Sequence, residues 1–444
     1  MGDSHQRISV HTGMADIVSG LPRNIVNNIL ERMPVRDAAR TSILSRKWRY
    51  IWSSHPHVVL HKDFFEHNFI RNKPPPFSAD EFVYAIEKIL LLHNGPILKF
   101  FFYIPNFLYD WGRHVDQWLL FLSRNGIKEL KLDNWSPNPY KLPSYVFFCP
   151  ELTYLKLRSC IFKPPDSFGG FGKLVTLHFD SIAFTDDIFR TPLPTAPLLE
   201  SLKFLRCSGI EHFRIHAPRL QTLNAISSSN VKSLCSQGSP NLAILSIVLG
   251  KMANSPVQVQ TINLSDYLGD WPRISTLCFD GFFLKLAGPG VVSRGLSVTL
   301  NHLRDLVLYE IRFEDSDQMS CAFRLLKSCP NLHTLCVVAA EVGRDVLEPD
   351  TSYWDAPGLM NQTLNQLQYV NVYVASGLMA EFLFTKFILA SSPLLQRMRV
   401  QFSPSLAAYK RRRISNELNL PATFQASPNA RVEYANWVPR IAPF

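Results

Sequence analysis

Residues 150–160, PELTYLKLRSC, decide the fold of this chain. Leu152, Leu155 and Leu157 stand in the pattern Leu-x-x-Leu-x-Leu, and Tyr154, Lys156 and Arg158 alternate with the last two leucines. A strand over this stretch turns its leucines to one side and its polar residues to the other. The pattern returns at Leu174/Leu177/Phe179, Leu199/Leu202/Phe204, Leu220/Leu223/Ala225 (a weaker copy), Leu242/Leu245/Ile247 and Ile274/Leu277/Phe279. It continues at Leu303/Leu306/Leu308, Leu332/Leu335/Val337, Leu367/Val370/Val372 and Leu395/Met398/Val400. Upstream, Ile127/Leu130/Leu132 and Leu98/Phe101/Tyr103 begin the series, giving about twelve units. First leucines lie 21 to 25 residues apart in the early copies and 28 to 35 in the later ones. The longer units have room for an outer helix, as over 316–328 and 378–390; the shorter ones hold only a turn or a 3₁₀ segment. One unit cannot bury its own apolar edge, so neighbours must stack strand beside strand in a parallel sheet.

This periodicity resembles that of leucine-rich repeats, which implies a curved solenoid with the alternate residues on its concave face. Those residues are Tyr154, Lys156 and Arg158; Thr176, His178 and Asp180; Ser201 and Lys203; Asp305, Val307 and Tyr309; Tyr369, Asn371 and Tyr373; Arg397 and Arg399. Lys156, Arg158, His178 and Lys203 make a mildly basic strip with Tyr154 beside it, suited to an acidic target peptide or an anionic small molecule. With Tyr309, Tyr369 and Tyr373 they are the candidate target-binding residues; an ordinary solvated face is the alternative. The cysteines fit the repeat as packing residues. Cys160 and Cys207 stand eight positions after a first leucine, and Cys149 and Cys329 sit in a recurring small-Pro-x-Leu turn, with Ala196-Pro197, Ala217-Pro218, Ser239-Pro240 and Ser392-Pro393.

Ahead of the repeats, residues 16–52 read DIVSGLPRNIVNNILERMPVRDAARTSILSRKWRYIW. Pro22 suits the first turn of a helix. Ile25, Ile29 and Leu30 fall at helical spacing on one face. Pro34 ends that helix, and Asp37 stands near the start of the next. Ile43, Leu44, Trp48 and Trp52 build a second apolar face. Helices this short bury too little surface to stand alone. Either the faces pack on each other and on the rest of the chain, or they take a partner. The stretch resembles an F-box, especially of the plant branch, in Leu21-Pro22, Met33-Pro34-Val35, Arg40-Thr41, Leu44-Ser45-Arg46-Lys47-Trp48 and Trp52. The resemblance implies docking on a Skp-type adaptor through Leu21, Pro22, Ile25, Ile29, Leu30, Pro34, Val35, Leu44 and Trp48.

Between the two regions, Lys73-Pro74-Pro75-Pro76 reads as a stiff linker, followed by a helix over 80–92. At the other end, 366–434 resembles the FBD region that closes many plant F-box leucine-rich-repeat proteins, through Leu367-Gln368-Tyr369-Val370, Ser392-Pro393-Leu394-Leu395 and Ala426-Ser427-Pro428-Asn429-Ala430. It is expected to cap the last open edge of the stack. The expected architecture is α/β: a tail over 1–15, a small helical F-box over 16–60, a linker and helix over 61–96, irregular leucine-rich repeats with a parallel sheet over 97–365, and an FBD-like region with the last repeats and a cap over 366–444.

The 444 residues are 46% hydrophobic and 18% charged, a globular composition. The net charge of +10 is spread along the chain, and its one dense block, Lys410-Arg411-Arg412-Arg413, reads as a solvated basic loop. No secretory leader and no apolar run of roughly 18–20 residues is present, so an intracellular chain with reduced thiols is expected, in nucleus or cytoplasm or both, with no membrane partner. His55, His57, His61 and His67 lack the companions of a zinc site. Gly169-Gly170-Phe171-Gly172 lacks the Lys-Ser/Thr of a phosphate loop. Asp186-Asp187 and Asp315/Asp317 read as turn or helix-start residues. No hydrolase, zinc-protease or kinase signature occurs. The expectation is therefore no catalytic residue, no metal and no cofactor, with nucleic acid a weak third option. What the resemblance implies is a substrate receptor that reaches cullin and RING subunits through the adaptor and holds an unidentified target protein. The rival is a leucine-rich-repeat binding or sensor protein that acts without ubiquitin transfer.

Overall fold

A computed structural model of the chain describes residues 20–44, 48–65, 79–106, 110–184, 196–209, 212–214, 217–226, 233–235, 239–249, 264, 268–269, 271–294, 298–341, 363–418 and 426–436. The chain divides into two compact units, Met1–Pro139 and Tyr140–Phe444.

The first unit opens with helices Arg23–Glu31 and Val35–Arg40, then three single 3₁₀ turns, Thr41–Ile43, Trp48–Tyr50 and Trp52–Ser54. Pro22 and Pro34 each stand just before a helix in extended conformation, where a missing N–H costs nothing. Asp37 lies in the first turn of its helix and reaches Arg40 at 3.5 Å. Three parallel strands follow, His57–Leu60, Lys99–Ile104 and Glu129–Asn134, interleaved with helices Ala79–Leu91 and Gly112–Arg124. Val58 and Leu60 align with Phe100 and Phe102, and these with Leu130 and Leu132. All six are buried, and the Phe102 ring meets Trp118 of the second helix edge-on at 5.2 Å.

Two expectations are corrected here. The strand His57–Leu60 falls where only the end of the F-box was expected. The repeat read as Leu98/Phe101/Tyr103 is Ile97/Phe100/Phe102, because Phe100 and Phe102 are the residues in register with Leu130 and Leu132. A slip of one residue exchanges the two faces of a strand.

In the second unit, parallel strands run in chain order from Tyr154–Arg158 through Thr176–Asp180, Ser201–Leu205, Thr222–Ile226, Ile244–Val248 and Thr276–Asp280. The series goes on through Asp305–Ile311, Thr334–Ala339, Tyr369–Val374 and Arg397–Phe402 to Arg431–Asn436. The repeat leucines Leu155, Leu177, Leu202, Leu245, Leu306 and Leu335 are all buried.

Each repeat is tied by the same local bonds. In the small-Pro-x-Leu turn the leucine N–H donates to the carbonyl of the small residue, as in Leu199 to Ala196 (3.1 Å), Leu220 to Ala217 (3.0 Å) and Leu242 to Ser239 (3.2 Å). One position past the strand, Ser159, Ser181 and Arg206 turn left-handed, with φ of 47°, 54° and 52°. Each N–H then donates at 2.8 Å to the next strand's Asp180, Leu205 or Ile226 carbonyl. The outer helices Ser316–Lys327 and Met379–Ser391 stand where the long units left room. Asp315 caps the first, accepting from the N–H groups of Asp317 and Gln318 at 3.2 Å. Asp186 and Asp187 lie outside the described residues.

The C-terminal region also differs from expectation. Ala426–Ala430 is one more repeat turn: buried Ser427 donates to the Leu395 carbonyl at 2.7 Å and leads into a further strand. The basic block lies on the helix Ala408–Leu418 rather than in a loop. Arg411 of that block donates to the carbonyls of Leu406 (2.8 Å), Ser403 (2.9 Å) and Pro404 (2.8 Å), and Lys410 to that of Ser376 (2.9 Å). Backbone carbonyls draw both side chains away from solvent.

Candidate functional site

In the first unit, Val26, Leu30, Ala38 and Trp48 form a closed core, with Leu21, Met33, Ile51 and Trp52 packed against it. The opposite side of the same turns is apolar too. Ile25 is 41% exposed, Ile29 38%, Ile43 84%, Leu44 62% and Tyr50 62%, and Pro22 and Pro34 are exposed beside them. So many exposed aliphatic and aromatic side chains are unusual on a module this small.

The adaptor-face expectation is thus divided. Pro22, Ile25, Ile29, Pro34 and Leu44 lie outward; Leu21 and Val35 are half-buried; Leu30 and Trp48 are core. Two expected faces break up. Leu30 turns inward from Ile25 and Ile29, and Trp48 turns inward from Ile43 and Leu44. Ile43 and Tyr50 belong to the outer surface and were missing from the expected set. Spacing alone gave no signal for them, since Leu44 keeps the four-residue spacing of Trp48 and Trp52 and is still 62% exposed.

Behind this module, Glu31 links the first helix to the strands, 3.3 Å from His57 Nδ1 and 3.3 Å from Lys99 Nζ. Burial first, then the neighbouring His57, push the imidazole of His55 down to about 4. His61 packs edge-on against Phe101 at 4.6 Å; His67 lies outside the described residues. No group of metal-ligating side chains occurs among the described residues.

In the second unit the sheet face opposite the leucines carries the expected target residues. Tyr154, Lys156, Arg158, His178, Lys203 and Tyr309 are half-buried there, and Tyr369 is exposed, its hydroxyl donating to Gln396 Oε1 at 3.0 Å. Tyr373 is the exception: it is 6% exposed and offers a partner almost no surface. Nor is the basic strip four cations wide. Arg158 lies 3.6 Å from Asp180 on the adjoining strand, and Arg206 Nη2 donates to both Asp180 carboxylate oxygens at 2.6 and 2.8 Å. His178 is pushed down to about 4, by burial first and then by the charges of Lys203 and Lys156. At neutral pH it is uncharged, with Tyr154 edge-on at 5.8 Å.

Further along the same face lies a small apolar cluster of Val248, Cys278 and Val307, against which Ile226, Tyr309 and Cys336 pack. Burial raises the Cys207 thiol to about 11 and Cys336 to about 11. Cys160 and Cys207 are buried and donate to the Arg158 and Leu205 carbonyls, so both serve packing.

Among the described residues, no helix is long and apolar enough to cross a membrane. The F-box domain family matches residues 18–59. A second family, described as the LRR repeats of FBD-associated F-box protein At5g56370, matches residues 115–337. The chain is 33% identical to the Arabidopsis thaliana F-box/FBD/LRR-repeat protein At1g13570, over 94% of this chain and 98% of that protein. It is 30% identical to F-box/FBD/LRR-repeat protein At5g56420 and 30% identical to F-box/LRR-repeat protein At3g59200, both of Arabidopsis thaliana. These two matches cover 48% and 52% of this chain but only 50% and 45% of the relatives, about half the length of each.

Proposed function

This chain belongs to the F-box/FBD/leucine-rich-repeat proteins, and from that premise we propose that it is the substrate receptor of a Skp–cullin–F-box ubiquitin ligase. Its F-box would hold a Skp-type adaptor, and through it the cullin and RING subunits. Its repeats would hold a target protein. The chain itself would contribute no catalytic group. It would act by raising the target's concentration near the transfer machinery.

The observation that carries this reading is the outward surface of Pro22, Ile25, Ile29, Ile43 and Leu44 over a closed core of Val26, Leu30, Ala38 and Trp48. The core needs none of the outer residues, so a partner is the natural way to remove them from water. The test is capture of a Skp-type adaptor by the full chain, compared with a variant carrying Ile25→Ala, Ile29→Ala and Leu44→Ala. Capture by the wild type, and its loss in a variant of unchanged melting temperature, supports the receptor. No capture by the wild type rejects it and leaves the rival, a repeat protein that binds without ubiquitin transfer.

A further inference from the structure

At the C-terminal end of the repeats, one row of residues crosses the strands in register: Asp305, Thr334, Tyr369, Arg397 and Arg431. Each opens its strand, on the sheet face opposite the leucines. The row ends in two like charges. Arg397 and Arg431 are register partners on adjoining strands, about 4.8 Å apart along the sheet, where two cations repel. Glu433, two residues past Arg431 on the same face, relieves part of this. Its carboxylate lies 3.2 Å from Arg397 Nε and 3.5 Å from Arg399 Nη2. The Arg431 side chain meets no partner among the described residues. Three guanidinium groups thus share one carboxylate, and two positive charges stay unopposed. All three are open to a partner: the Arg397 side chain is 57% exposed, that of Arg399 44%, and Arg431 is exposed.

The group that matches two unopposed charges on adjacent guanidinium forks is compact and doubly charged. A phosphorylated side chain carries about −1.5 to −2 at neutral pH and accepts paired N–H bonds from arginine. A single carboxylate would leave one charge over. A nucleic-acid strand would need a longer run of cations, and none is provided: Asp305 stands at the far end of the row, and Glu433 stands in the next row. Beside Arg397, Tyr369 is 38% exposed. Its hydroxyl donates to Gln396 at 3.0 Å, and the Gln396 amide donates to Gln368 at 2.9 Å. The ring is thereby held as an apolar wall, which the chain carrying a phosphate can pack on and a free phosphate ion cannot use.

We propose that Arg397 and Arg431, with Tyr369 beside them, are the docking site for a phosphorylated peptide segment, its phosphoryl oxygens held between the two guanidinium groups. Arg399 keeps Glu433 in place at the inner side of the site. The assignment of that segment to a target protein rests on the receptor reading above; the binding itself does not.

The probe is a peptide library with a fixed central phosphoserine, phosphothreonine or phosphotyrosine and degenerate flanks, captured on the full chain at low ionic strength. The best peptide recovered should bind at least about tenfold more tightly than its unmodified form and than its Glu form. Arg431→Gln should weaken it at least about tenfold at unchanged melting temperature, because that side chain releases no partner. Arg412→Gln removes the same charge from an exposed position on the helix Ala408–Leu418 and should leave binding unchanged. No enrichment of any phosphorylated library over its unmodified counterpart overturns the proposal. So does equal affinity in Arg431→Gln, or an equal loss in Arg412→Gln. Equal affinity for the Glu form overturns it in favour of a plain acidic segment. Displacement of the peptide by hexauridylate, whose own binding depends on Arg431, overturns it in favour of nucleic acid. Adaptor capture, measured on the same preparation, separates the two readings: its failure removes the receptor and leaves the phosphopeptide site standing.

Discussion

Ile29 and Leu30 are adjacent in the chain and face opposite ways: Ile29 is 38% exposed on the outer side of the first helix, and Leu30 is 2% exposed in the core with Val26, Ala38 and Trp48. Their truncations should therefore fail differently. Leu30→Ala opens a cavity and should cost about 2–5 kcal/mol of stability, read as a fall in the urea midpoint of the first unit. Ile29→Ala combined with Ile25→Ala should leave the unfolding free energy within about 0.5 kcal/mol of the wild type. The pair should weaken adaptor binding at least tenfold by calorimetry, since each aliphatic contributes roughly 1.5–3 kcal/mol when fully buried by a partner. Equal adaptor affinity in the Ile25/Ile29 variant would place the contact elsewhere.

Arg206 holds Asp180 from the next strand while its own backbone is left-handed, with φ of 52°. Asp180 is 8% exposed, so Arg206→Ala leaves a nearly buried carboxylate with the Ser181 hydroxyl at 2.9 Å and the longer contact to Arg158 at 3.6 Å. Half of the Arg206 side chain is in solvent, which limits the loss to about 1–2 kcal/mol. Asp180→Ala added to Arg206→Ala should cost less than the sum of the two single changes in urea unfolding, because the second no longer strands a charge. Strict additivity would show that the pair is not coupled.

Two glycines of similar backbone separate strain from overlap. Gly126 has φ of 71° and open space where a Cβ would stand; Gly209 has φ of 77°, and its Cβ would overlap the Phe184 carbonyl oxygen. Gly126→Ala should cost about 1 kcal/mol, the left-handed penalty alone. Gly209→Ala should cost distinctly more, roughly 3 kcal/mol, since the bridge between Ala183 and Ser208 must also move. Chemical denaturation of both variants checks the order, and a smaller loss at Gly209 would refute it.

The repeats were legible because each leucine triplet has one apolar side and one polar side, and the small-Pro-x-Leu turn marks where each begins. Where that contrast fades, the reading slips. Phe100, Phe101 and Phe102 are apolar on both faces, so alternation could not tell Ile97/Phe100/Phe102 from Leu98/Phe101/Tyr103; pairing with Leu130 and Leu132 decides it. The four residues of His57–Leu60 are too few to carry a triplet. In the F-box, helical spacing located the apolar residues but not their direction, since Ile25, Val26, Ile29 and Leu30 are alike. Packing on Ala38 and Trp48 selects Val26 and Leu30. The charge of the strip was misjudged for a related reason. Lys156 and Arg158 look equivalent in sequence, and only the register with Asp180 shows which one is already paired.

Glu381 should make the C-terminal helix sensitive to pH near neutrality. Its carboxylate accepts from the N–H groups of Ser376 at 3.1 Å and Gly377 at 2.6 Å, holding the turn ahead of the helix Met379–Ser391. Burial outweighs those bonds and pushes the carboxyl up from 4.5 to about 7. Below pH 4.5 it is protonated in both folded and unfolded chains, and its contribution is fully present. As pH rises through 7 the unfolded chain is already ionised, while the folded chain must desolvate a charge. That contribution is then lost, up to roughly 3 kcal/mol. The helix should therefore open more readily at pH 8 than at pH 5, measured by hydrogen exchange as opening free energies corrected for intrinsic rates. Other groups titrate over the same range, so the decisive quantity is the difference from Glu381→Gln, which cannot ionise. That variant should be less stable at pH 5, where one N–H loses its oxygen acceptor, and should lose less on going to pH 8. Parallel profiles for wild type and variant would mean that the two backbone bonds keep this carboxylate ionised throughout.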